Sequence, residues 1–175
     1  MWVFGYGSLL WNPGFDYAEK RLACLHGYHR SFCMRSIHHR GTIEEPGLVL
    51  ALDQQEGASC QGVAFRVELN NVQGTLAYLR ERELVSSAYL EVNLPITLTD
   101  GDVVDAVVYV IDETHDQYCG GLPLAEQAEI LSRAVGGRGP NWEYLHNTVA
   151  HLTHLGIHDA DLQWLDREVH ILRGN

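Results

Sequence analysis

The segment Trp2-Val3-Phe4-Gly5-Tyr6-Gly7-Ser8-Leu9-Leu10-Trp11 runs apolar, β-favouring residues straight into Gly-Tyr-Gly-Ser. That order predicts a short buried strand ending in a loop. With no side chain on Gly5 and Gly7, the main-chain N–H groups of the loop are open to an anionic or polarised oxygen. The same residues suit a plain tight turn between two core strands. What else converges on the loop decides between the two.

Beyond the segment, Asn12-Pro13-Gly14 reads as a turn, and β-prone runs follow at about 22–25, 28–34, 48–52 and 62–69. Asn70-Asn71 supplies a capping signal for a helix reaching about Leu84, and 88–98 and 103–111 read as strands joined at Asp100-Gly101. From Pro123 the periodicity turns helical. Pro123 and Gly136-Gly137 bracket one helix; a second starts near Asn141, carries Leu145, Val149 and Leu152, and stops at Gly156. A third, capped near Asp159, carries Leu162, Leu165, Val169 and Leu172 on one stripe. The expected class is α+β: a β-rich core followed by a helical C-terminal third, with 1–175 as a single domain.

A chain of 175 residues, 46% hydrophobic and 20% charged, is long enough for one well-buried core. Its net charge of −11, from 12 basic and 23 acidic residues, argues against a nucleic-acid backbone or an anionic membrane as partner. A small-molecule ligand fits better, and if it is anionic, nearby arginines must offset the overall field. Cys24, Cys33, Cys60 and Cys119 form no CxxC pair and read as free thiols. No basic leader and no apolar run of membrane-spanning length is present, so the expectation is a soluble, cytoplasmic protein. Nothing in the sequence sets an oligomeric state.

In the helix after Asn71, Val72, Leu76 and Leu79 fall on one face, and Glu83 is the next member of that stripe. At about 100° per residue, Glu83 points inward while Glu81 points to water, flanked by Arg80 and Arg82. An inward carboxylate must be paired, hydrogen-bonded or protonated. Its pKa tends to rise, which suits a general acid/base at neutral pH. A salt bridge to a nearby arginine, or a helix end that releases the side chain to solvent, is the structural alternative.

Other constellations carry less. Ser8 lacks the second glycine of G-x-S-x-G and reads as a hydrogen-bonding residue rather than a nucleophile. Cys119 has no nucleophile signature and reads as a packed thiol. His151, His154 and His158 have helical spacing, but Gly156 interrupts them, and H-E-x-x-H is absent, so no metal is assigned. Neither a P-loop nor a dinucleotide fingerprint is written here, so no cofactor is expected. Arg40, in His39-Arg40-Gly41, suits bidentate pairing with a substrate carboxylate or a surface role. Tyr144 suits the core or a hydroxyl offered to a ligand.

Together these pieces resemble the ChaC-like γ-glutamylcyclotransferases. The landmarks are Trp2-Val3-Phe4-Gly5-Tyr6-Gly7-Ser8-Leu9-Leu10-Trp11, Arg30-Ser31-Phe32-Cys33-Met34-Arg35 with His39-Arg40-Gly41-Thr42, and Pro46-Gly47-Leu48-Val49-Leu50-Ala51-Leu52. Gly62-Val63-Ala64-Phe65-Arg66-Val67, Tyr78-Leu79 with Arg82-Glu83, and Gly139-Pro140-Asn141 with Glu143-Tyr144-Leu145 continue the series. The resemblance implies a mixed β-barrel with surrounding helices, and cyclisation of a γ-glutamyl group to 5-oxoproline. For ChaC-like members it implies glutathione as substrate and Cys-Gly as the released amine. It also implies Glu83 as catalytic residue, Val3, Phe4, Gly5, Tyr6, Gly7, Ser8 and Leu9 as the substrate loop, and Arg40 and Tyr144 as further substrate-binding residues. The stretch Leu84-Val85-Ser86-Ser87-Ala88-Tyr89 is nearer the bacterial pattern. Two other functions share these residues: cyclisation of other γ-glutamyl amino acids or amines, and γ-glutamyl binding without turnover.

Overall fold

The apolar run after Met1 forms strand β1 (Trp2–Gly5), in which Val3, Phe4 and Gly5 are buried. The structure is a computed structural model and describes residues 1–84 and 87–174. β1 lies between strands distant in sequence. It pairs antiparallel with β3 (Gly47–Arg66), Trp2 opposite Arg66 and Gly5 opposite Val63, and parallel with β5 (Val103–Ile111), Trp2 opposite Ala106. With β2 (Glu19–Ser36) and β4 (Tyr89–Leu98), the order β1-β3-β2-β4-β5 closes into a barrel. Closure gives each barrel strand a neighbour on both sides.

The contacts within the chain form two compact units, Met1–Ser31 with Ala51–Asp116, and Phe32–Leu50 with Gln117–Asn175. β2 and β3 each contribute residues to both. In the first unit the alternation of strand side chains sorts residues into two apolar clusters. Phe4, Leu25, Leu52, Ala64, Ile96 and Val108 belong to one. Val3, Leu9, Val67, Val107 and Tyr109 belong to the other, where Leu79 of helix α1 (Val72–Glu83) joins them. Neighbouring residues in β1 and β5 thus serve opposite faces, and α1 closes the second. The expected Asn71 cap is a correction: Asn71 stands at the helix start, but its side chain makes no capping hydrogen bond, and the chain enters α1 through a 3-10 turn at Leu69–Asn71.

The second unit holds α2 (Leu124–Arg133), the two-residue strands β6 (Val135–Gly136) and β7 (Gly139–Pro140), α3 (Asn141–His154) and α4 (Ala160–Leu172). Its helices bury Leu131, Leu145, Leu152, Leu162, Leu165 and Val169. Asp159 caps α4 by accepting from the Leu162 N–H at 3.1 Å, as its position predicts. Asn141, fully buried at the start of α3, accepts from the Leu48 N–H at 2.6 Å and donates to the Leu48 carbonyl at 2.7 Å. Its amide stands in for a missing strand neighbour. Asn141→Ala orphans both backbone groups and is expected to destabilise the protein by about 2–4 kcal/mol, measured by urea unfolding; a loss below about 0.5 kcal/mol would mean that water replaces the amide.

Candidate active site

Gly5 ends β1 because the chain is crowded there: a Cβ on it would lie 3.0 Å from Leu9 Cβ and 3.1 Å from Phe65 Cε2. Across the ladder, a Cβ on Gly62 would meet the Gly5 carbonyl and the Phe4 ring. Past Gly5 the chain turns through a 3-10 helix at Ser8–Leu10, the Leu10 N–H donating to the Gly7 carbonyl at 2.9 Å. Three side-chain contacts fix the loop. The Tyr6 hydroxyl donates to the Tyr109 carbonyl at 2.9 Å, and buried Arg30 donates to the carbonyls of Tyr6 at 3.1 Å and Gln61 at 3.0 Å. Arg82 donates through Nη2 to Ser8 Oγ at 2.8 Å.

Arg82 does more than hold Ser8. Its Nη1 donates to the Asn12 carbonyl at 2.6 Å and to the Tyr78 hydroxyl at 3.0 Å, while Nε lies 3.1 Å from Glu83 Oε1. The expectation that Arg82 flanks Glu81 on the watery side is therefore corrected. A long side chain on the flank of a helix can fold back under it, and here 15% of it remains exposed. Glu83 is inward as the stripe predicts, 19% exposed, whereas Glu81 is exposed. It is the last residue of α1 and it is ion-paired, so the salt bridge weighed as its alternative is also present. Glu83 and Ser8 are thus separated by no more than two polar contacts and one guanidinium. Ser8, accepting from Arg82, keeps its own O–H to donate. Leu84, Ser87, Ala88 and Tyr89 of the stretch after the glutamate are described, but Val85 and Ser86 lie outside the described residues.

Behind Glu83, Arg80 binds Glu91 through two hydrogen bonds, Nε at 2.9 Å and Nη2 at 2.7 Å, and the Tyr109 hydroxyl donates to Glu91 Oε2 at 2.9 Å. The Arg80 hydrogen bonds hold the Glu91 carboxyl below the ordinary carboxylate range against the opposing effect of burial. Burial, then the hydrogen bond to Glu91 and the charges of Glu91 and Glu83, push the Tyr109 phenol well above its usual value. Tyr109 stays a donor. Because Glu91 titrates lower folded than unfolded, the stability it contributes is complete above the ordinary carboxylate pKa, about 4.3, and is lost as pH falls through its folded value. Glu91→Gln is expected to melt a few degrees below the parent at pH 7, with the gap narrowing as pH falls below about 4.3 toward the folded value. A gap that does not narrow on acidification would show that packing, not charge, separates the two proteins.

Arg40 and Tyr144 fall in the second unit, and the structure brings them together: the Arg40 guanidinium lies 5.5 Å from the centroid of the Tyr144 ring. Arg40 donates to the Pro140 carbonyl at 3.0 Å and lies 4.0 Å from Glu143 Oε1. Burial lowers its pKa, with Glu143 opposing. Tyr144 is buried, its ring edge-on to Phe32 at 6.0 Å. Arg30, Arg82 and Asn141 enter the sequence reading only as landmarks or element ends with no role in the site, and Tyr109 enters only as part of a strand. The one signal that could have found Arg82 is its place one residue before Glu83.

The family model described as ChaC-like protein matches residues 1–172. The chain belongs to the ChaC-like family. This ChaC-like chain is 36% identical over 162 residues to the glutathione-specific gamma-glutamylcyclotransferase of Escherichia coli K12, covering 93% of the chain and 69% of that protein. It is 32% identical to the enzyme of the same name from Schizosaccharomyces pombe, covering 98% of the chain and 92% of that protein. It is 34% identical to gamma-glutamylcyclotransferase 2-3 of Arabidopsis thaliana, over 98% and 90%. In fold it matches the crystal structure of a yeast gamma-glutamyl cyclotransferase specific to glutathione, with a TM-score of 0.87 at 23% identity over 99% of both chains. The β-barrel that the resemblance implies and the helical C-terminal third are both present in the fold.

Proposed function

We infer that this protein is a γ-glutamylcyclotransferase acting on glutathione, the activity and substrate in the names of its relatives, and that it converts glutathione to 5-oxoproline and Cys-Gly. The observation that carries the inference is Arg82, whose single guanidinium contacts both the Glu83 carboxylate and the Ser8 hydroxyl of the glycine loop. It ties a carboxylate able to move a proton to a loop able to meet an oxyanion.

In the reaction the substrate's α-amine attacks its own γ-carbonyl carbon, closing a five-membered ring and breaking the γ-amide C–N bond. Attack within one molecule already has a large proximity advantage, so the protein has to fold the glutamyl chain back and manage protons. Glu83 as carboxylate takes a proton from the α-ammonium, and as carboxylic acid returns it to the departing amine. Main-chain N–H groups of the Tyr6 to Leu9 loop stabilise the charge developing on the γ-carbonyl oxygen. Val3 and Phe4 support that loop from β1. Arg40, over the Tyr144 ring, has the chemistry for a substrate carboxylate.

No described helix is long and apolar enough to cross a membrane, and Cys24, Cys33, Cys60 and Cys119 form no disulfide. Cysteines without a disulfide support a cytoplasmic, reducing setting, and the family match over residues 1–172 supports 1–175 acting as a single functional domain on a small molecule. The test is incubation with glutathione and, separately, with γ-glutamyl-alanine, measuring 5-oxoproline and the released amine. Equal amounts of 5-oxoproline and Cys-Gly from glutathione are expected. Turnover of γ-glutamyl-alanine alone would move the specificity to other γ-glutamyl amines, and binding without 5-oxoproline would make the protein a γ-glutamyl-binding module.

A further inference from the structure

The histidines with helical spacing in the sequence, His151, His154 and His158, are not the ones that the fold gathers. Among the described residues, His146 of α3 and Asp166 and His170 of α4 bring one nitrogen of each imidazole and one carboxylate oxygen within 4.8 Å of one another. We propose that these three side chains form a binding site for a divalent cation of the zinc class, pinning α3 to α4.

Asp166 and His170 are one helical turn apart, so both project from the same face of α4. His146 reaches the same carboxylate from the neighbouring helix, Nδ1 lying 3.4 Å from Asp166 Oδ1. That separation is long for a hydrogen bond and close to the spacing of about 3.3 Å between two ligand atoms on a tetrahedral zinc ion with bonds near 2.0–2.2 Å. His170 Nδ1 lies 3.7 Å from Asp166 Oδ1 and 2.7 Å from the Asp166 main-chain carbonyl, which accepts the ring N–H. Ligation through Nδ1 exchanges that hydrogen bond for the ion and moves the ring proton to Nε2.

The surroundings permit closure. The side chains of His146 and His170 are 49% and 44% exposed, so small rotamer changes can bring all three donors onto one ion, while Asp166 at 19% exposure is the anchored member. Two imidazoles and one carboxylate select zinc and its neighbours over magnesium and calcium, which prefer all-oxygen sites. Three protein donors leave a fourth position to water. None of the three side chains belongs to the chemistry assigned to Glu83 and the glycine loop, so this site and that reading stand or fall separately.

The test uses the full chain, stripped with EDTA, desalted and kept reduced, titrated calorimetrically with zinc chloride at pH 7.5 and, as a control, with magnesium chloride. One equivalent of zinc is expected, with a rise in melting temperature, and no response to magnesium. His146→Asn and His170→Asn, both at half-exposed positions, are each expected to weaken zinc binding at least about tenfold and to abolish the thermal shift. Both retain all four cysteines, so zinc held by thiols would persist in the variants. Equal zinc affinity in parent and variants, or no saturable uptake by the parent, overturns the proposal. 5-Oxoproline formation in the same variants should match the parent.

Discussion

Replacing Glu83 by glutamine is expected to lower kcat for 5-oxoproline formation by about 10²–10⁴-fold, the usual contribution of a positioned acid/base. The amide is nearly isosteric, and its oxygen can still accept from Arg82 Nε, so the loop clamp and the fold survive. What it loses is the capacity to take a proton from the α-ammonium and pass it to the leaving amine. Substrate affinity, measured calorimetrically with glutathione, should change little. The control is Glu81→Gln: Glu81 sits on the exposed side of the same helix, and its removal should leave kcat within about twofold of the parent. Retained turnover in Glu83→Gln would remove Glu83 from the mechanism, and a comparable loss in Glu81→Gln would reverse the phase assigned to α1.

Arg82→Lys is expected to cost both activity and stability although charge is conserved. The planar guanidinium meets Ser8 Oγ from Nη2, the Tyr78 hydroxyl and the Asn12 carbonyl from Nη1, and the Glu83 carboxylate from Nε. A lysine ammonium offers a compact point charge and cannot span those acceptors. Leaving two or more partly buried acceptors unpaired is worth about 2–4 kcal/mol, read as a shift in the urea midpoint. A loop displaced by about 1 Å is enough to lower kcat/KM by about 10²-fold. Because Arg82 acts through the residues it positions, the pH profile of kcat should shift in Arg82→Lys, a change that lost stability alone does not produce. An unaltered profile would make Arg82 a purely structural clamp.

The helix phase that points Glu83 inward was legible because it needs only the apolar residues Val72, Leu76 and Leu79 and a constant angle per residue. The C-terminal helices were legible for the same reason. The sequence reads β2 and β3 each as two short runs, whereas each is one long strand that passes through a glycine of positive φ, Gly27 at +80° and Gly57 at +77°. Arg82 escaped notice because the helical wheel fixes the direction of Cβ and not the reach of a long side chain. Asn141 reads locally as a helix-start residue, while its partner Leu48 lies far away in sequence. Tyr109 looks like one more apolar member of β5, and only the folded barrel shows its carbonyl under Tyr6 and its hydroxyl on Glu91.

The pairing of β1 has a consequence for how the protein is made. Trp2 and Val3 register against Ala106 and Val107, and Tyr6 is tied to Tyr109. The glycine loop is synthesised well before β5, yet its seat does not exist until β5 has left the ribosome, a contact across most of the first unit that is slow to form. A nascent chain that ends before Val103 carries both the loop and Glu83 and still has no assembled cradle. β5 therefore acts as a latch: it contributes none of the groups assigned to the reaction, and it delays the first turnover until the barrel is whole.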